Sequence, residues 1–508
     1  MKACIFLQGQ YSKLGHALAR VLKEQHGVTE FCAYVYSLGA AEFVRQGQSD
    51  IAYNPILVDH ELHERFRAEQ IDLQFLERFE HEYGTPHLWK YLYADRKLLM
   101  SIGPKEETTA VIDPLYEHDD LLRIFQSRAR AIEEMLLKER PDFVFFFAIG
   151  AIGNMLVYHV AKKLGIRIFT IDFPRIGNWI SLSSDYNTLT GIEEGFKSIR
   201  AGRDNEPVRQ NVRKFLTEFR ATGNLNLEYI KIAQQLNPMK APSFLHPKRL
   251  LRTFKYLITL TRNWLKNRQL FVYGETHLNP LRFVWYNSIR KFRRARGLDD
   301  LYTQPVAGEE YAFFPLHYEP ELSILVLSPF YFDQLNLIRI IARSLPVHMK
   351  LYVKEHPSMI FRRSRKYYKD LLKIPNVRLV PHTIKSFELI KNSKLVTVIS
   401  SSAGWEACLL KKPLISFGEV FYNALPFVRR SRTPDDLPEL IKDRLEHFDY
   451  DEKTLEDFLV ATFEESFPFD YAGLWYQNDI AALMKDAGVQ AIAQRVMKRV
   501  KSLNSQAA

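Results

Sequence analysis

The chain has little cysteine, no long apolar run and, through one stretch, almost no acid. Its 508 residues include three cysteines, Cys4, Cys32 and Cys408, without metal-like spacing. So few thiols argue against a disulfide framework and suit a reducing compartment. The most apolar stretch, FVFFFAIGAIG from Phe143, is about half the ~20 residues that a membrane span needs. It follows Pro141-Asp142 and runs into a helical pattern, so it reads as a buried parallel strand. The opening MKACIFLQGQ lacks the apolar region and small-residue cleavage site of a secretion signal and reads as a first strand. There is no internal repeat or long low-complexity tract, and no Asp-x-Asp pair falls at a strand end. The expected location is cytoplasmic.

The acid-poor stretch explains the net charge of +11. Between Met239 and Gly297 there are fourteen Lys or Arg residues and one acid, Glu275, so the rest of the chain is close to neutral. In HPKRLLRTFKYLITLTRNWLKNRQLFVYG and LRFVWYNSIRKFRRARG the cations interleave with Leu, Phe, Trp and Tyr at helical spacing. Such a segment serves either as a helical linker with a solvated basic face or as a surface for anionic lipid or an acidic polymer. No nucleic-acid module accompanies the charge, so nucleic acid is not the expected partner.

Composition, at 46% hydrophobic, 25% charged and 13% aromatic, is that of a folded chain, and its length asks for two domains. The first half alternates strands (KACIFLQG, FCAYVYSL, DFVFFFAI, IRIFTIDF) with helices (SKLGHALARVLKEQHG, LLRIFQSRARAIEEMLLKERP, NMLVYHVAKKLG). After the basic middle the alternation restarts: YAFFPL, MKLYVKEH, VRLVP, KLVTVIS and PLISFG are strands. DQLNLIRIIARSLP, YYKDLLKIP, SFELIKNS and AGWEACLLKK are the helices between them. This pattern predicts parallel sheets covered on both faces. The expected fold class is α/β, two Rossmann-like domains facing across a cleft (GT-B-like) with a basic helical linker. The expected divisions are 1–238, a first Rossmann-like domain, 239–308, the basic aromatic linker, 309–440, a nucleotide-sugar-binding domain, and 441–508, a helical tail.

In doubly wound sheets ligands bind at the carboxyl ends of strands, and the unusual residues of the second half fall there. YAFFPLHYEPE puts His317, Glu319 and Glu321 past one strand. LYVKEHPSMIFRR puts Lys354, Glu355 and His356 past another, before a basic helix start. TVISSSAGWEA puts Ser400, Ser401 and Ser402 past a third, leading into a helix. Small hydroxyl residues there expose N–H groups and the positive dipole end, which suits a phosphate. Gly404 would allow close approach, and Glu406, one turn on, is placed to accept ribose hydroxyls. Gln334 reads as helix surface or a structural hydrogen bond.

The run FFPLHYEPE, DQLNLIRIIARSLP, LYVKEHP, IPNVRLVP, SFELIKNS, SSSAGWEACLLKKPLISFG and VFYN resembles the capsule polysaccharide biosynthesis family over about residues 310 to 425. That family includes bacterial transferases for Kdo and other ulosonic and nonulosonic acids. The first half is similar only in outline, through PDFVFFFAIGAIGN and LGIRIFTIDFPRIGN. Where members often carry Thr-Gly-Thr before Gly-x-Glu-Ala, this chain has Ser-Ser-Ser. The resemblance implies a glycosyltransferase that moves a Kdo-like or nonulosonic acid from a CMP-sugar onto a bacterial capsule or lipopolysaccharide acceptor. His356 and the serines would hold phosphate and cytidine, and Lys354 would favour the leaving CMP. No metal or resident cofactor is expected. The catalytic residues would come from TIDFPRIGNWISLSSD in the first half: Asp172 or Asp185 as base or nucleophile, and Arg175 as partner of the donor's carboxylate. Gln8 and His16 are weaker acceptor-side candidates. A UDP- or other NDP-sugar transferase, and a non-catalytic polysaccharide export or binding protein, are the alternatives. Acting on lipid-linked acceptors would bring the protein, through its basic middle, to the inner face of the inner membrane.

Overall fold

The computed structural model describes residues 1–9, 11–46, 50–84, 87–95, 98, 116–227, 247–266 and 280–507. The chain forms two compact units, each built on its own sheet. The first gathers Met1–Asp95, Tyr116–Tyr229 and Asp451–Ala508, and the second centres on Ile230–Tyr450.

The first sheet holds β1 (Lys2–Leu7), β2 (Glu30–Val35), β3 (Tyr53–Val58), β4 (Phe143–Phe146), β5 (Arg167–Asp172) and β6 (Trp179–Ser183). Its order is β3-β2-β1-β4-β5-β6, parallel except for β6, which runs antiparallel to β5. Both faces of the central strands are covered, so β1 and β4 read as unbroken apolar runs, not as alternations. One face, through Ala3, Ile5 and Leu7, packs on the helices Tyr11–His26 and Ala487–Ala507. On the other, Phe6 stacks on Tyr34 (5.1 Å between centroids) and contacts Phe146.

The second sheet holds β7 (Tyr311–Pro315), β8 (Lys350–Lys354), β9 (Val377–Val380), β10 (Leu395–Val398), β11 (Leu414–Ser416) and β12 (Val428–Arg430). The order β9-β8-β7-β10-β11-β12 is parallel throughout. Each unit thus follows the Rossmann order about its own first strand.

Residues 441–508 do not form a tail. Up to Tyr450 they belong to the second unit, and Asp451–Ala508 completes the first. There β13 (Phe467–Pro468) pairs with β6, and Val489, Ile492, Val496 and Val500 join the core over β1. The basic middle forms two helices, Pro247–Lys266 and Pro280–Arg296; its residues 239–246 and 267–279 lie outside the described residues. On those helices Leu251, Phe254, Leu265, Leu281, Trp285 and Phe292 are exposed.

The first unit is pinned beneath its sheet by a buried ion pair. Arg128 grips Asp59 with a two-pronged contact (Nε to Oδ1 2.9 Å, Nη2 to Oδ2 3.0 Å), and both residues are fully buried. Tyr34 donates to the same carboxylate. Removing the acid strands a buried guanidinium. Asp59→Ala is therefore expected to lower stability by about 3 to 5 kcal/mol, read from the denaturant midpoint of the first unit. A loss under about 1 kcal/mol, ordinary for exposed pairs, would contradict that role.

Candidate functional site

The order in which strands are added to the second sheet reverses at β7, which has β8 on one side and β10 on the other. Helices after β7 and β10 leave on opposite faces, opening a crevice where such sheets bind ligands. The donor-side candidates lie at the ends of β7, β8 and β10, except Glu406, which sits in the helix after β10. His317 and Ser400 meet across the reversal, Ser400 N–H donating to His317 Nε2 at 3.1 Å. That bond fixes the tautomer, leaving the ring proton on Nδ1. Ser400 Oγ in turn donates to Ser323 O at 2.6 Å.

Glu319 and Glu355, expected on the donor side, are both tied to one cation. Both are buried on Arg363, which lies 3.2 Å from Glu319 and donates to Glu355 and, at 2.9 Å, to His317 O. Tyr368 adds a bond to Glu355 at 2.7 Å. Gln334 serves the same loop, accepting from His317 N–H (2.7 Å) and donating to Glu319. Its expected structural role is what the contacts display. Arg363 was not singled out in the sequence, where it closes what reads as a basic helix start. The helix begins at Arg365, and Phe361 before it adopts a left-handed backbone (φ 65). The available signal was two acids at adjacent strand ends, which once buried require a cation.

Lys354 and His356 carry the perturbed charges. Lys354, at the end of β8, donates to Ser386 Oγ at 3.0 Å. Burial pushes its ammonium down to about 8, against the pull of Glu406 and Glu355. His356 accepts from Ser358 N–H through Nδ1 at 3.2 Å, so Nε2 bears its proton. Burial lowers it to about 4; Glu355 opposes that, while Arg363, Lys354 and Arg362 add to it. At neutral pH it is an uncharged donor. Tyr318 meets it edge-on at 5.9 Å, with Arg362 over the Tyr318 ring.

Ser401 and Ser402 open the helix Ser402–Leu409, with Ser401 at the cap position. Ser401 makes no side-chain cap bond, and its Oγ is buried without a hydrogen-bond partner among the described residues. Glu406 is half-buried one turn on. Gly404 serves packing, not ligand approach: a Cβ there would lie 2.4 Å from Tyr422 Oη and 2.9 Å from Val398 Cγ2.

In the first unit the two candidate acids separate. Burial would raise the Asp185 carboxyl, but Asn187 N–H, Lys162 and Tyr158 outweigh it and hold it below the usual range. It is committed to its own turn. Asp172, the last residue of β5, is lifted by burial to about 6 despite Phe173 N–H and Arg175. A carboxylate so placed is ionised at neutral pH yet basic enough to take a proton. Arg175 stands in a left-handed backbone (φ 58), as residues at functional loops often do. His16 is buried against Tyr53 (3.2 Å) and lowered by burial, which makes it a core residue; Gln8 follows β1 and caps a turn through its carbonyl to Tyr11 N–H.

Residues 275–434 match the family described as capsule polysaccharide biosynthesis protein. The chain is 32% identical over 123 residues to Protein FixF of Sinorhizobium fredii (strain NBRC 101917 / NGR234), covering 24% of this chain and 29% of that relative's length. Solved structures resembling it include Thermosulfurimonas dismutans KpsC, beta Kdo 2,7 transferase, at 11% identity over 72% of this chain and 89% of that one, with a TM-score of 0.32. The beta Kdo 2,4 transferase of the same KpsC gives 11% identity, 70% and 94% coverage and a TM-score of 0.34. A UDP-GlcNAc 2-epimerase from Neisseria meningitidis bound to UDP-GlcNAc gives 12%, 91% and 98%, and 0.25.

The lowered Lys354 has a measurable cost. Its folded pKa lies below the ordinary 10.5, so between about pH 8 and 10.5 the unfolded chain holds more protons and stability rises with pH. Below that window the penalty is fully present. Lys354→Met is expected to stabilise the second unit at pH 7 by up to about 3 kcal/mol and to flatten the rise above pH 8. Denaturant titrations across that range check both; a destabilised variant would show that the ammonium is a structural tie.

Proposed function

We propose, from the match of residues 275–434 to the family described as capsule polysaccharide biosynthesis protein, a glycosyltransferase of surface-polysaccharide synthesis that uses a CMP-sugar donor carrying a Kdo-like or nonulosonic acid. The observation that carries the reading is the convergence of His317, Lys354, His356 and the Ser400–Ser402 turn at three strand ends about the β7 reversal. A donor with one phosphate needs few cations. Lys354 and the N–H groups opening the helix Ser402–Leu409 supply positive field to the leaving phosphate. The neutral Nε2–H of His356 donates a hydrogen bond, and the Ser401 hydroxyl is available as another. Ribose hydroxyls fall to Glu406. In transfer, the bond from anomeric carbon to phosphate oxygen breaks with its electron pair leaving on CMP. The acceptor oxygen forms the new bond and gives up its proton, and Asp172 is the carboxylate suited to take it. No resident metal or cofactor is part of this proposal.

Thermal-shift titration with CMP, UDP and GDP tests the donor, since a ligand of the native state raises apparent stability. CMP is expected to stabilise selectively, and His356→Ala to abolish that shift while leaving the unliganded melting curve in place. A selective response to UDP would replace CMP as the donor nucleotide. Full CMP response in the His356 variant would move the pocket elsewhere.

The basic helices suit a peripheral contact with an anionic membrane. Among the described residues no helix is long and apolar enough to cross one. Phe254, Trp285 and Phe292 are more than 60% exposed beside Lys255, Arg262 and Lys291, so shallow apolar burial can add to about 1 kcal/mol per basic residue near the surface. The protein is expected to sediment with phosphatidylglycerol vesicles at low salt and to leave them near 1 M, where screening length falls to about 3 Å. Remaining in the supernatant at low salt would reduce the segment to a solvated linker.

A further inference from the structure

Two adjacent arginines follow β8, and their surroundings differ. From Lys354 the chain passes the short turn Pro357–Met359 and the left-handed Phe361 (φ 65) to reach Arg362 and Arg363. Arg363 is buried and neutralised by Glu319 and Glu355. Arg362 stays half-buried, its guanidinium over the Tyr318 ring at 5.5 Å and its Nη1 donating to Tyr318 Oη at 3.3 Å. Among the described residues it pairs with no carboxylate, and its Nε is buried without a hydrogen-bond partner. Its backbone is held on both sides. The Arg362 N–H donates to Met359 O at 2.8 Å, and Arg293 of the basic helix donates to the Arg362 carbonyl. The ring that carries the guanidinium also meets His356, at 5.9 Å. Burial is the main reason that His356 is uncharged, and the Arg362 charge adds to it.

We infer that Arg362 is a specificity-determining residue, binding the carboxylate of the donor sugar beside the phosphate held at His356. The inference rests on the transferase reading above and adds what selects an acidic sugar. In a CMP-ulosonic acid the anomeric carbon bears the carboxylate and is joined to the phosphate through a single oxygen. A cation for the carboxylate must therefore stand next to the groups that hold the phosphate. The donor also brings two negative charges to this place. Lys354, offset in part by Glu406 and Glu355, serves the phosphate, and Arg363 is neutralised by two acids. Of these cations Arg362 alone faces no acid among the described residues. Its planar fork suits a carboxylate in two-pronged contact, where an ammonium presents only a point charge. The Tyr318 ring and hydroxyl hold that fork in place before any ligand arrives. Arg362, in the same unit as His356, then takes the contact expected of Arg175.

The test is calorimetric titration of the full chain with CMP, CMP-Kdo and CMP-N-acetylneuraminate. At least one of the two acidic sugar nucleotides is expected to bind more tightly than CMP. Arg362→Met, which keeps an apolar stem over Tyr318, is expected to weaken that binding about tenfold and to leave CMP binding unchanged. Arg362→Lys, which keeps the charge without the fork, is expected to recover part of the loss. Tyr318→Phe is expected to lose a smaller part of the sugar's gain over CMP. If Arg362→Met fails to fold, Arg362→Lys and Tyr318→Phe carry the test through that gain, and an undiminished gain in both overturns the inference. Unchanged sugar-nucleotide binding in Arg362→Met overturns it too. So does an equal loss of CMP binding, which would make Arg362 a ligand of the phosphate. A chain that binds CMP yet gains nothing from either acidic sugar overturns this inference alone. A chain that binds none of the three overturns it together with the donor reading.

Discussion

One guanidinium organises the second unit's strand ends. Arg363 holds a carbonyl and an acid from the loop after β7 and an acid from the loop after β8. His317, whose carbonyl it holds, passes the constraint to the loop after β10 through Ser400 N–H. Three segments distant in sequence are thereby placed to within a hydrogen bond of one another. Buried ion clusters contribute little net stability but specify arrangement. The charge balance follows from the same cluster. Two carboxylates against one guanidinium leave negative potential, and Lys354 sits where Glu355 and Glu406 partly offset its burial.

The two sheets treat their polar interiors differently. In the first unit, Arg128 ties Asp59, His63 and the Ile124 carbonyl together, and Tyr34 donates to the same Asp59 carboxylate. At the carboxyl ends the groups are left in less comfortable states: a depressed Lys354, a raised Asp172, and left-handed Arg175 and Phe361. Strain and perturbed protonation concentrated at strand ends mark sites under functional demand. Gly153 and Gly404 show how firmly the flanking helices are seated. Each lies under a tyrosine hydroxyl, and a Cβ would come within 2.2 Å of Tyr34 Oη or 2.4 Å of Tyr422 Oη.

The central strands were legible because burial on both faces leaves an uninterrupted apolar run, as in FVFF and in KACIFL. The edges were not. β3, β6, β12 and β13 are short or peripheral and carry mixed residues, so their pairing is settled by tertiary contact, not pattern. At the candidate site the residue types at strand exits were readable, but which acids would be consumed was not. Asp172 and Asp185 look alike thirteen positions apart, and only the fold brings Lys162 and Tyr158 to one of them. Arg363 illustrates the same limit. A cation eight residues past its carboxylate partner has no periodic signature.

The first unit is discontinuous, and this bears on how the molecule is made. Its core over β1 includes Leu14, Leu18 and Val21 from near the start of the chain and Val489, Ile492 and Val496 from near residue 500. Between Tyr229 and Asp451 the ribosome must synthesise the bulk of the second unit, which takes on the order of 10 to 40 s at ordinary elongation rates. For that interval the nascent first sheet has β6 as an open edge, and the apolar face over β1 is covered by the helix Tyr11–His26 without its second helix. The second unit, contiguous over its sheet, can close while its predecessor waits. Order of emergence and order of completion are therefore reversed.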